Sequence, residues 1–167
     1  MIAARRLVLG AGALLALGAA AAAQDLSAVA TASAFIDIVP TEGRLPVRLS
    51  ATHVVRIGRV ESHTVIDTTA WVQQRTVEPV ETLARRVIAA GQRLIALTDL
   101  NGSRIYLAVS HIVLVRESQA RHAAGARAAI VMVGLRFNTD IAVRETPDEV
   151  MTALRQATAP ATTRPAR

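Results

Sequence analysis

The sequence predicts an α+β fold, mostly β: two tandem repeats of short antiparallel strands, each followed by one helix, packed as a pseudo-dimer. Three observations predict it. Short runs of Val, Ile and Leu recur through residues 35–144, broken by polar and turn residues. Two stretches, about 79–90 and 146–157, change to the apolar spacing of a helix. Finally, blocks of the first half lie over blocks of the second in the same order. Phe35-Ile36-Asp37-Ile38 falls on Leu94-Ile95-Ala96-Leu97, and Gly43 falls on Gly102, at an offset of 59. His53–Ile57 falls on His111–Val115 at 58, Thr64-Val65-Ile66 on Ala129-Ile130-Val131 at 65, and Glu78, Leu83 and Val87 on Glu145, Val150 and Leu154 at 67.

At 167 residues the chain suits one domain or two very small ones. Its only aromatic residues are Phe35, Trp71, Tyr106 and Phe137, so the core must be aliphatic. Residues 1–23 have the layout of a secretory signal peptide. Arg5-Arg6 opens it, Leu7–Leu17 is the apolar centre, and Ala19–Ala23 supplies the small residues before a cleavage site. The alternative is an uncleaved inner-membrane anchor over 7–23, which at 17 uncharged residues is at the short end of what spans a bilayer. Residues 24–34 are a small, polar, flexible lead-in.

The first repeat covers 35–91, with strands expected near 35–39, 45–50, 53–60, 63–69 and 71–78. Its helix, 79–90, carries Val80, Leu83, Val87 and Ile88 as a buried stripe, with Pro79 and Glu81 at its start and Gly91 past its end. The second repeat covers 92–156, with strands near 94–98, 103–109, 111–117, 128–135 and 137–144. Asp99-Leu100-Asn101-Gly102 gives it a hairpin turn, because Asn-Gly tolerates the positive φ such turns require. Thr146-Pro147-Asp148-Glu149 caps its helix, with Val150 and Leu154 on the buried side. An Ala/Gly/Arg insertion, Gln119–Arg127, reads as a mobile hairpin extension. The tail, 157–167, holds two prolines and no periodic apolar position, the composition of a disordered end.

Composition narrows the chemistry. With no cysteine there are no disulfides, thiolate metal sites or Cys nucleophile. All 19 basic residues are Arg. Loss of residues 1–23 leaves 17 of them against 13 acids, a net charge of +4, which permits contact with an anionic surface without requiring it.

His53 and His111 hold equivalent places and could form a pseudo-symmetric pair, yet neither carries the neighbouring ligands of a metal site. Ser62-His63, Ser110-His111 and Asp67 lack a nucleophile elbow, and His122 falls in the mobile insertion. No catalytic, metal or cofactor-binding residue is therefore assigned, and no enzyme activity. Arg44, Arg48, Arg56 and Arg59 in one repeat, and Arg104, Arg116, Arg136 and Arg144 in the other, could track phosphates if they shared a face. Without interleaved aromatic residues they read as a solvated outer face.

The second repeat resembles the small family of flagellar and swarming-motility proteins of the FlbD type. Leu97-Thr98, the Leu100-Asn101-Gly102 turn, Ile105-Tyr106-Leu107, Ile112 with Val115, and Val143-x-Glu145 running into Asp148-Glu149-Val150 carry the likeness. It spans 94–155, with a degenerate echo over 35–90, and implies a β-rich fold without binding residues to carry over. Those proteins are short and single-copy, whereas this chain has two copies and an export signal.

The resulting expectation is a periplasmic or secreted, non-enzymatic binding or scaffolding module. Its partner would be another envelope or appendage protein, with no cofactor, and membrane contact only if the signal segment stays uncleaved. The alternative is an Arg-rich regulatory module on nucleic acid or an anionic surface.

Overall fold

The structure, a computed structural model, describes residues 34–43, 45–137 and 139–159. The expected signal segment, nearly all of the expected lead-in, Arg44, Asn138 and residues 160–167 lie outside the described residues.

The fold is α+β and mostly β, with three antiparallel sheets. In chain order the elements are β1 (Phe35–Ile38), β2 (Val47–Ser50), β3 (Val54–Val60), β4 (His63–Thr68), β5 (Gln73–Thr76) and α1 (Val80–Ala89). There follow β6 (Leu94–Thr98), β7 (Arg104–Ala108), β8 (Ile112–Glu117), β9 (Ala128–Met132), β10 (Asp140–Val143) and α2 (Pro147–Thr158). Single 3-10 turns, Ala51–His53 and Val109–His111, precede β3 and β8. The central sheet has the order β5-β4-β3-β7-β6, flanked by a three-stranded sheet β10-β9-β8 and the hairpin β1-β2.

Alternation along the strands sends side chains to both faces of the central sheet, and each face has its own aliphatic core. On one face Ile57, Ile66 and Val54 pack under α1 with Ile36 and Ile38 of β1. Leu83 and Val87 of α1 are fully buried there, each worth roughly 1.5–3 kcal/mol of hydrophobic stabilisation. On the other face Val55, Ile95, Leu97 and Leu107 meet Ile130, Met132 and Ile141 of the small sheet and Val150 of α2.

The helices start differently. Thr146 and Glu149 form a reciprocal capping box before α2, with Pro147 in its first turn as expected. At α1, however, Pro79 is the N-cap itself and no side chain caps the helix. Glu78 turns instead to Arg86, at 2.6 Å.

Several backbone contacts recur in the two halves. Ala51 N–H donates to Ala34 O at 2.7 Å and Val109 N–H to Arg93 O at 3.0 Å. Thr69 N–H donates to His53 O at 3.0 Å and Val133 N–H to His111 O at 2.9 Å. The Glu78 carboxylate accepts from Val39 N–H at 3.5 Å and Glu145 from Thr98 N–H at 3.0 Å.

Three expectations need correction. Residues 71–72, 133–135, 137 and 139 are loop, outside the named strands, because Trp71 and Gly134 take positive φ (63° and 90°), away from the extended region that a regular strand needs. The insertion after β8 is tied down rather than free, as described below. And α2 runs to Thr158, so the helix takes in the first residues assigned to the tail.

Candidate functional site

A polar row crosses half of the central sheet. Register places Arg56 of β3 opposite Asp67 of β4, and Asp67 opposite Gln73 of β5. The row continues through Leu107 and Ile95, which belong to the α2-side core. So this row is apolar on β7 and β6 and polar on β3, β4 and β5.

Asp67 is nearly buried and fully engaged. Its Oδ2 accepts from Arg56 Nε at 2.7 Å and its Oδ1 from Gln73 Nε2 at 2.6 Å. Donation by Nε2 fixes the Gln73 amide, leaving Oε1 as an acceptor. Arg56 uses only Nε, so among the described residues its two Nη groups have no acceptor of their own.

Two loops wall this row into a cleft of about 360 Å³. The β4-β5 turn is closed by Trp71 N–H to Thr68 O at 2.9 Å and Thr68 N–H to Val72 O at 3.2 Å. Trp71 takes the left-handed position of this turn, where glycine is the easy choice. Yet its side chain is not buried in compensation: the residue is 63% exposed. Opposite stands the β9-β10 loop, drawn close by Gly134. A Cβ at that position would lie 3.1 Å from Val55 Cγ2 and 3.5 Å from Thr69 Cα, so only glycine lets this loop approach. Phe137 projects from it, 74% exposed, with the Arg136 guanidinium 4.9 Å from its ring centroid.

A second polar cluster ties the insertion to β10. Asp140 Oδ2 accepts from Arg116, Arg121 and His122. His122 Nδ1 accepts from Gln119 N–H at 2.8 Å, which puts the ring proton on Nε2, facing Asp140 at 3.2 Å. Desolvation pushes the Asp140 pKa up, but hydrogen bonds from Arg121, His122 and Arg116 outweigh it and hold the carboxyl at about 2. This cluster is a clasp: it orders a segment whose composition reads as mobile.

The residues singled out in the sequence are dispersed. His53 Nδ1 meets Thr69 Oγ1 at 2.7 Å, and His111 Nδ1 meets Ser110 Oγ at 3.1 Å. The two histidines are near enough to couple: burial, and then the charge of His53, lower the His111 pKa. Ser62 Oγ meets His63 Nδ1 at 3.1 Å, but Asp67 is spent on Arg56 and Gln73 and orients no histidine. Among the described residues no group of three His, Asp or Glu side chains could hold a metal ion. The described arginines of the strands are spread over three sheets. Arg48 pairs with Asp37 at 3.5 Å, Arg144 donates to Leu100 O, and Arg56 and Arg116 are half-buried partners of acids. The solvated outer face is thereby corrected for those two.

The cleft's aromatic walls are hidden in the sequence because Trp71 and Phe137 each head a strand-like run of residues. One signal was available: both head the same block of their half, 66 residues apart. No family model, curated protein or solved structure matches the chain.

Proposed function

We propose that this protein is an exported, non-enzymatic binding module of the cell envelope, and that its binding site is the cleft between Trp71 and Phe137. One observation carries the reading. An exposed tryptophan holds a backbone conformation that costs of order 1–3 kcal/mol, without the core packing that would offset it. Strain of this kind at an exposed aromatic residue is what a contact surface retains and a purely structural turn discards. The facing Phe137 and Arg136, and the saturated Asp67 beneath, give that surface shape and charge.

A tandem repeat is part of this proposal. The recurring pairs Ala51–Ala34 and Val109–Arg93, His53–Thr69 and His111–Val133, and Glu78–Val39 and Glu145–Thr98 support it, because His53 and Glu78 fall on His111 and Glu145 at the sequence offsets and their partners lie close to the neighbouring blocks. On this reading the cleft is made from corresponding loops of the two copies. The export assignment rests on residues 1–23, and the likeness to the motility family extends only to the β-rich unit.

The second reading, an Arg-rich module acting on nucleic acid inside the cell, draws on the same cleft, which Arg56 and Arg136 line together with Trp71 and Phe137. N-terminal sequencing of the protein from cells separates the two: an exported chain begins near Gln24. Retention of envelope material by the immobilised wild-type protein, lost in Trp71→Gly, supports the binding module. Equal retention by both proteins overturns the assignment to this cleft.

A further inference from the structure

We infer that the cleft binds an acidic sugar, a hydroxylated six-membered ring carrying a carboxylate. The inference rests on the binding-module reading and names its ligand class. Charge comes first. Among the described residues two guanidinium groups, Arg56 and Arg136, and one carboxylate, Asp67, line the cleft, and Asp67 has both oxygens occupied. The unspent charge is positive, so the ligand is an anion. The Nη groups of Arg56 offer the planar pair of donors that matches a carboxylate in two parallel bonds, while Asp67 on Nε keeps the fork from turning.

The remaining chemistry is that of a sugar. Among the described residues Gln73 Oε1 is a free acceptor beside the fork, and Thr68 Oγ1, already donating to Val72 O at 2.8 Å, can only accept. Acceptors next to an anion site call for a ligand that brings its own hydroxyl donors. A ring of C–H groups on one face then suits the exposed indole of Trp71. An aromatic acid or a phosphate would fill the positive end and leave those acceptors unmatched. At about 360 Å³ the cleft accommodates a ring or two of a chain, and its open mouth lets a polymer continue on either side.

Trp71 is the only tryptophan, so its fluorescence reports occupancy directly. The purified protein is titrated with tetragalacturonate, with its methyl-esterified form, with N-acetylmuramic acid, and with a thymidine tetranucleotide. Saturable change with tetragalacturonate or N-acetylmuramic acid, at least tenfold tighter than with the ester or the tetranucleotide, is the expected result. The preferred sugar tells an acidic polysaccharide from cell wall as the source. Calorimetry extends the test to variants. Arg56→Lys keeps a cation beside Asp67 but removes the fork, and Arg136→Gln alters an exposed side chain. Each should weaken binding about tenfold with an unchanged unfolding midpoint. Equal affinity for acid and ester, tighter binding of the tetranucleotide, or no binding of either acid overturns the inference. In the last case, envelope retention that still depends on Trp71 leaves the binding module standing and removes only the sugar.

Discussion

The carboxylate of Glu145 accepts the backbone N–H of Thr98 at 3.0 Å, across 47 residues of sequence. It joins the loop between β10 and α2 to the end of β6, and Arg144 N–H adds a second bond to Thr98 O at 3.0 Å.

Glu145→Ala leaves the Thr98 N–H without its partner in a partly buried place. It should destabilise the protein by about 1–3 kcal/mol, whereas Glu145→Gln, which keeps an acceptor oxygen, should cost less. Urea unfolding midpoints at constant slope measure both.

Trp71→Gly relieves a left-handed residue and removes a mostly exposed ring. Strain relief of about 1 kcal/mol is set against the lost ring contacts and the greater freedom of glycine in the unfolded chain. Stability within about 1 kcal/mol of the wild type is expected in thermal unfolding. A large loss would mean that the indole is a structural plug.

Gly102 shows the contrary case. Its φ is +83°, and a Cβ there would sit 3.6 Å from the Arg144 guanidinium that holds Leu100 O. Gly102→Val should cost about 1–3 kcal/mol, read by chemical denaturation.

Asp140 predicts behaviour in acid. Its folded pKa is held at about 2, below the ordinary 3.8. The stability it contributes is therefore complete above the ordinary value and lost as pH falls from there toward 2. Asp140→Asn should flatten the stability profile over that interval, and hydrogen exchange should show the Gln119–Arg127 amides opening in the variant.

His111 acts at milder pH and with the same sign, although here it is the neutral form that folding favours. Burial and the neighbouring His53 lower its pKa, so the unfolded chain takes up this proton first. Stability should fall as pH drops below the ordinary 6.5, and His111→Gln should remove that slope in unfolding curves taken across the interval.

Most of the scaffold was legible because its signals are local. Asn101-Gly102 marks a turn, Thr146-Pro147 marks a helix start, and alternating Val, Ile and Leu mark strands whatever their neighbours do. The cleft was not, because its pieces are ordinary until assembled. Trp71, Val133 and Phe137 have the composition of strand residues. Only the positive φ at Trp71 and at Gly134 reassigns them to loops. Asp67 and Arg56 are 11 residues apart and meet only through antiparallel register, and Asp140 meets Arg121 and His122 only because the loop folds back onto β10. Charges on strands do not announce which face they take.

The two cores are interlocked. Leu94 and Ala108 complete the layer beneath α1, while Val55 completes the one beneath α2. A chain severed at Gly91 would yield two fragments with open, sticky interiors, each insoluble by itself and rescued by co-expression with the other.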